Sequence, residues 1–460
     1  MVEIVILSGA PPPQGGGAES KDLPPSPVHR SPFTIHLSPA DGILSTSSSH
    51  RTSPVRPVVL LAAALAACTP AADAPAPVTT DVPDRHAYVW AGGMDSTVAD
   101  MLLVVDADST SATYGQVVGS VATGTKGGMP HHIERRVSED GRLLANTWVA
   151  NTSWLFDLST PRVPKVHASL KGAGGVIAWA HDYARLPSGN LLVAYNAGPG
   201  EYVGAGGLAE LDRDGAVVQA AVATSSEAGD TAMTPYTVHP VRGRDRAVVG
   251  LGEMGMGPDY KYHDTSALQL WSTAPLAPLA LIPLPANGKD RGHIATSTVA
   301  ATANGAMFAN TFYCGFYHVQ GLEGDAPSAA RIFTFPGGDT DETLCAVATT
   351  VGNFWIQAVA ALPGVMVLDV TDPKAPREVA RLVVDGARFA KPHWVSANRS
   401  GTRLAITGDG PWVLMARFDP ATGAIALDST FRDAGSKTPG IMVHAPGGAM
   451  LHPHGVAWGP

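Results

Sequence analysis

The chain has 460 residues, enough for a large core or several domains, and 45% of them are apolar against only 15% charged. A net charge of −9 with no long basic run excludes the electrostatic footprint that DNA or RNA requires, so no nucleic acid is expected as a partner. The 50 glycines and 38 prolines describe many short strands joined by tight turns.

Residues 1–54 are rich in Pro, Ser, Gly and His and carry no hydrophobic period, so they are expected to be disordered. Arg56 then precedes the apolar run Val58–Ala67, which ends in Leu65-Ala66-Ala67-Cys68 and meets Thr69-Pro70. A basic residue, a short apolar core and small residues before a cleavage point read as a secretory signal over 55–68. The run is too short to span a bilayer, and the alternative is a short buried helix. Such a signal normally lies at the very N-terminus, so residues 1–54 read as a start assigned too early. The Leu-Ala-Ala-Cys box resembles that of bacterial lipoproteins, which implies lipidation at Cys68 and a periplasmic protein anchored to a membrane. Residues 69–85 follow as a Pro/Ala linker. Cys314 and Cys345 are then the remaining thiols; they either pair in an oxidising compartment or are buried small apolar residues, and the second reading is preferred.

From His86 onward the pattern is that of strands. Leu102-Leu103-Val104-Val105-Asp106, Trp154-Leu155-Phe156-Asp157-Leu158, Leu208-Ala209-Glu210-Leu211-Asp212, Leu268-Gln269-Leu270-Trp271 and Val365-Met366-Val367-Leu368-Asp369 are short apolar segments, several closed by Asp. Hairpin signals such as Glu139-Asp140-Gly141-Arg142 and Arg399-Ser400-Gly401-Thr402 separate them, and no stretch sustains a capped helical period. Histidines head successive units: His131-His132, His181, His239, His293, His393 and His454. They recur about every fifty to sixty residues, with one step of about twice that length, as expected of propeller blades of four short strands. The double step holds a unit without a histidine, around Thr343–Val347 and Gly352–Ile356. The ends supply the seventh unit, His454–Trp458 giving an inner strand and His86–Gln116 the outer ones. The expected fold is an all-β, seven-bladed β-propeller over 86–460, closed by pairing of its N- and C-terminal strands.

The first strand of a propeller blade lines the central channel, so histidines at strand starts converge there although they are dispersed in sequence. An imidazole-only set suits copper or zinc, and an open coordination position allows catalysis. Alternatively each histidine caps a strand end, bonded to a carbonyl or to channel water. The primary ligand candidates are His131, His132, His181 and His454, with His239, His293 and His393 as additional channel ligands. Asp182 and Glu253 are candidates for the surrounding shell. His86, His167, His263, His318 and His444 lack the strand-start position and read as surface or packing residues. No G-x-S-x-G, P-loop or H-E-x-x-H motif is present.

These residues resemble the selenium-binding protein family, whose bacterial members include copper-dependent methanethiol oxidases. His131-His132 is similar to that family's paired histidine, His181 ahead of Leu186-Pro187-Ser188-Gly189 to its next-blade ligand, and His454 before Val456 and Trp458 to its last ligand. Glu253 falls where the family has a Thr-Glu pair, and Val367-Leu368-Asp369-Val370-Thr371-Asp372-Pro373-Lys374-Ala375-Pro376 is close to its strand-Asp-Pro-x-x-Pro phrase. Ile133-Glu134-Arg135-Arg136 departs from the family's Gly-Trp-Asn and cysteine cluster. The resemblance implies copper held by His131, His132, His181 and His454, with a small thiol and dioxygen as substrates. The alternative is a non-catalytic metal-binding or protein-interaction propeller lipoprotein.

Overall fold

The computed structural model describes residues 83–460 apart from 94–96, 201, 203, 226–230, 253, 255–265, 286–295, 338–343, 387–388 and 390. The expected disordered segment, the signal, Cys68 and nearly all of the linker lie outside the described residues, as do His263, His293 and Glu253. The described chain forms seven antiparallel sheets of at least four strands each, and no α-helix occurs among the described residues. The innermost strands are Pro130–Ile133, Ala178–Arg185, Pro235–Pro240, Thr296–Ala301, Thr349–Val351, Pro392–Ala397 and Leu451–Gly459. Their sheets are blades 1 to 7 in that order. Each innermost strand touches the next and that of blade 7 touches that of blade 1, which closes a seven-bladed β-propeller.

Burial explains the sequence pattern of each blade. Second and third strands are covered on both faces by neighbouring blades, so they read as continuous apolar runs such as Arg142–Thr147 and Gly364–Asp369. The outermost strand is half solvated and alternates, as in Lys165–Leu170. The aspartates that close strands are turn formers: Asp106, Asp157 and Asp369 each accept the backbone N–H two residues on, at 3.0 Å. Gly141 takes φ 77° in the hairpin of blade 1, where a Cβ would lie 2.9 Å from the Ser159 nitrogen.

Blade 7 is built as expected from both ends of the ring. Leu451–Gly459 pairs antiparallel with His86–Gly93, from His86 opposite Gly459 to Gly93 opposite Leu451. The third and outermost strands, Ala99–Asp106 and Val117–Lys126, reach ten residues beyond the expected limit at Gln116. Indole N–H groups tie the inner strands together. The Trp394 ring nitrogen donates to the Val456 carbonyl at 3.1 Å, and that of Trp458 to the Ser396 carbonyl at 3.3 Å. Blade 1 is joined to blade 2 by the buried Glu134 carboxylate, which receives two N–H groups of Arg185 at 2.8 and 3.0 Å.

Cys314 and Cys345 are bonded to each other, which corrects the preferred reading of two separate buried thiols. Spacing alone gave no sign of the pairing, because the two residues meet only when the turn after Met307–Thr311 of blade 4 packs on the segment entering blade 5. The bond closes a loop with a sequence separation of 31. Replacing both cysteines by Ser is expected to lower stability by about 3 kcal/mol, as read from the urea midpoint at unchanged slope. A variant with an unchanged midpoint would show that the link contributes nothing beyond the surrounding packing.

Candidate metal centre

One backbone irregularity recurs at the inner strand of six blades. Between Pro130 and Ile133, Ala180 and Asp182, Pro235 and Thr237, Thr296 and Thr298, Pro392 and Trp394, and Pro453 and Gly455, the pairing register shifts by one residue. The residues left in these bulges are His131-His132, His181, Tyr236, Ser297, His393 and His454. A bulge turns its extra side chain away from the alternation of the strand, here toward the ring's interior. In blades 1, 3, 6 and 7 the bulged residue follows a proline, which has no N–H to give to the ladder. Met129, Trp179 and Lys391, each two residues ahead of a bulged histidine, have φ of 59°, 65° and 42°. Such a conformation costs a non-glycine residue on the order of 1 to 3 kcal/mol and is held only where the surroundings enforce it.

The bulges bring five imidazoles together. Ring centroids of His131 lie 4.6 Å from His132, 4.9 Å from His181 and 4.3 Å from His454, and those of His132 and His181 are 4.0 Å apart. His393 stands 4.4 Å from His454. His131, His132 and His181 are buried and can present one ligand atom each, all within 4.8 Å of one another, so this set can hold a metal ion. The Nε2 atoms of His131 and His181 face each other at 3.0 Å. His181 Nδ1 donates to the Tyr236 carbonyl at 2.7 Å, which fixes the ring and leaves Nε2 as the lone-pair nitrogen. His131 Nδ1, both nitrogens of His132, His393 Nε2 and His454 Nδ1 are buried without a hydrogen-bond partner among the described residues. Buried polar atoms are normally paired, so this many orphans in one place fits a bound cation.

Electrostatics point the same way. Burial, and after it the charge on neighbouring imidazoles, holds His131, His132, His181 and His454 well below the ordinary pKa of 6.5 and lowers His393 to about 4. Neutral imidazole is the form that binds metal. Asp182 lies 4.0 Å from His132 Nδ1 and accepts from the Thr237 hydroxyl at 2.6 Å and the Val238 N–H at 3.1 Å. Burial raises its pKa, while Arg135 pulls it down. The Arg135 guanidinium, 5.2 Å from the Trp394 ring and bonded to the Val395 carbonyl at 3.1 Å, crosses from blade 1 to blade 6.

His239 is not part of this cluster. It sits three residues beyond the bulged Tyr236, where its Nε2 accepts the Ala301 N–H at 3.3 Å and Arg135 and burial lower its pKa to about 4. Its place in the strand is an end, and the blade's inward position belongs to Tyr236. His293 and Glu253 lie outside the described residues. The structure also brings in residues that sequence reasoning overlooked. Asn146 holds the His132 N–H at 2.8 Å with its carbonyl and donates to the Ala180 carbonyl at 2.6 Å, bridging the two ligand-bearing strands. Trp148 lies 5.7 Å from both His131 and His181 and packs with Trp179, Tyr202, Met129 and Met254 into an apolar wall. The recurring Ala-Asn of Ala145-Asn146 and Ala309-Asn310, and the Pro-His and Pro-Tyr pairs, are the signals that mark these positions.

Comparisons with known proteins bear on this arrangement. A methanethiol oxidase from Ruegeria pomeroyi is 30% identical over 145 residues, covering 29% of this chain and 32% of that protein. The match thus spans about a third of the relative's length. A hypothetical selenium-binding protein from Sulfolobus tokodaii superimposes with a TM-score of 0.61 at 13% identity, over 82% of this chain and 94% of its own. The resemblance to the selenium-binding protein and methanethiol oxidase family is borne out. A periplasmic gluconolactonase from Pseudomonas aeruginosa has a TM-score of 0.59 at 11% identity, over 81% and 98% of the two chains, which is a likeness of fold alone. No family model matches the chain.

The buried neutral imidazoles make metal-free stability depend on pH. A histidine held at about 4 in the fold and at 6.5 when unfolded favours folding fully above pH 6.5, and that contribution is lost as pH falls toward 4. The urea midpoint of the metal-free protein is expected to fall steeply across this window, with His239→Gln removing a share on the order of 3 kcal/mol at most. A midpoint flat between pH 6.5 and 4 would contradict the buried neutral state.

Proposed function

We propose that this protein is a copper-dependent oxidase of a small thiol, acting on methanethiol or a close relative. The observation that carries the reading is the buried, neutral triad of His131, His132 and His181, whose ligand atoms lie within 4.8 Å of one another. The methanethiol oxidase relative supports it. An imidazole set without thiolate suits copper, which when bound supplies the electron transfer that couples thiol oxidation to dioxygen reduction. The overall change balances as methanethiol, dioxygen and water giving formaldehyde, hydrogen sulfide and hydrogen peroxide.

The chain's own residues prepare that chemistry. The Tyr236 carbonyl holds the His181 proton on Nδ1, so Nε2 stays free to bind. Asn146 fixes the backbone of both ligand strands, which keeps the imidazoles from turning toward better hydrogen-bond partners. Asp182, beside His132 Nδ1 and raised by burial, is placed to hold a proton there. The wall of Met129, Trp148 and Trp179 excludes water and offers apolar surface for a methyl group. The Cys314–Cys345 bond supports an oxidising compartment, in keeping with export through the Leu65–Cys68 box.

Dioxygen uptake and sulfide release, measured on copper-loaded protein with methanethiol, test the reading. Turnover is expected, with His181→Ala lowering both activity and bound copper more than tenfold and Asn146→Ala by about tenfold. Copper-loaded protein that consumes no dioxygen with any small thiol would overturn the oxidase reading.

A further inference from the structure

Trp148 is the point at which the histidine triad meets a second set of rings. Its indole lies 5.7 Å from both His131 and His181, 5.5 Å from Trp179 and 5.4 Å from Tyr202, and the last two are 5.3 Å apart. Each ring therefore touches the next in tilted or edge-on contact. The set also runs outward, since Trp148 and Trp179 are 1% and 7% exposed whereas Tyr202 is half-buried. Packing alone does not account for the choice of rings. Trp179 holds a φ of 65°, and its indole N–H is buried with no hydrogen-bond partner among the described residues, where a phenylalanine would leave no polar group unpaired. An indole and a phenol give up one electron far more readily than a phenylalanine does. An oxidised indole whose N–H has no acceptor keeps its proton, so the electron vacancy passes on and is not trapped there. Tyr202 is different. Its hydroxyl donates to Asn196 Oδ1 and accepts the Met254 N–H at 3.0 Å, and the Asn196 amide is itself held by the Pro235 and Gly252 carbonyls at 3.0 and 2.7 Å. The phenol is thus fixed in place on the half-buried member of the set, from which a proton can leave to solvent.

We propose that Trp148, Trp179 and Tyr202 form an electron relay that carries oxidising equivalents outward from the histidine triad when peroxide reacts there without thiol. This rests on the reading that the triad holds copper and that the reaction forms peroxide. Hydrogen peroxide takes up two electrons and two solvent protons to give two waters. One electron comes from copper(I), which becomes copper(II), and the other comes from Tyr202 by way of Trp148. Tyr202 releases its phenol proton to solvent and is left as a neutral radical. An external thiol returns the electron, and solvent the proton. Met129 and the two indoles, all beside the triad, are thereby spared oxidation by the product of the reaction.

Copper(I)-loaded protein, mixed with hydrogen peroxide in the absence of thiol and frozen within seconds, tests the proposal by electron paramagnetic resonance. Wild type is expected to show a tyrosyl radical beside the copper(II) signal. Tyr202→Phe should lose the tyrosyl signal, and Trp148→Phe should lose most of it, with metal analysis showing that both still hold copper. If Trp148→Phe loses copper or unfolds, Tyr202→Phe decides alone. Wild type without an organic radical, or a tyrosyl signal unchanged in Tyr202→Phe, would overturn the relay. Dioxygen uptake with methanethiol by that same protein would leave the proposed oxidase intact. The expected radicals in a protein that turns over no thiol would support the relay and overturn the oxidase reading, and wild type that binds no copper would overturn both.

Discussion

Moving an imidazole out of water removes its hydrogen-bond partners, and the ring must find new ones or bear the loss. Such a loss is on the order of 1 to 3 kcal/mol for each unpaired nitrogen. In this propeller the loss recurs at five nitrogens on four neighbouring rings, and burial together with the charge of adjacent imidazoles favours the neutral form. The rest of the structure serves this arrangement. Bulges aim the rings inward, left-handed residues ahead of three of them set the approach, and Asn146 and the Tyr236 carbonyl hold backbone and tautomer. The fold holds this strain at three separate blades, each time two residues ahead of a buried imidazole of the cluster.

Arg135 completes the electrostatic design. A buried guanidinium is costly, and here it acts on Asp182, which lies 4.0 Å from His132 Nδ1, while the guanidinium itself stands 5.2 Å from the Trp394 ring. The carboxylate thus faces a positive charge on one flank and an imidazole on the other. This sets the protein apart from a propeller whose channel is merely filled with water or apolar side chains.

Most of the fold was legible in the sequence because propeller blades repeat. Apolar runs closed by Asp at Asp106, Asp157 and Asp369 marked third strands, and the missing inner strand at one end matched the surplus strand at the other. The histidines were legible as a recurring feature but not as a geometry. His239 shows why: one histidine per unit is a statement of spacing, while the inward position depends on which residue the bulge releases, and in blade 3 that residue is Tyr236. A register shift of one residue reverses the side a side chain faces, and nothing in composition reports it. The proline before the bulged residue was the local sign, readable at Pro130, Pro235, Pro392 and Pro453. The disulfide was not legible, since its two cysteines belong to different blades.

The closing pair of strands joins segments as much as 374 residues apart, and His454 rides on one of them. His454 lies 4.3 Å from His131 across the seam that this pairing closes. An ion that takes His454 binds the closed ring and has no full site in any opened form. Its binding energy is then added to the hydrogen bonds of a single seam. A metal held by both His131 and His454 would therefore join the first and last blades across the seam that closes the ring.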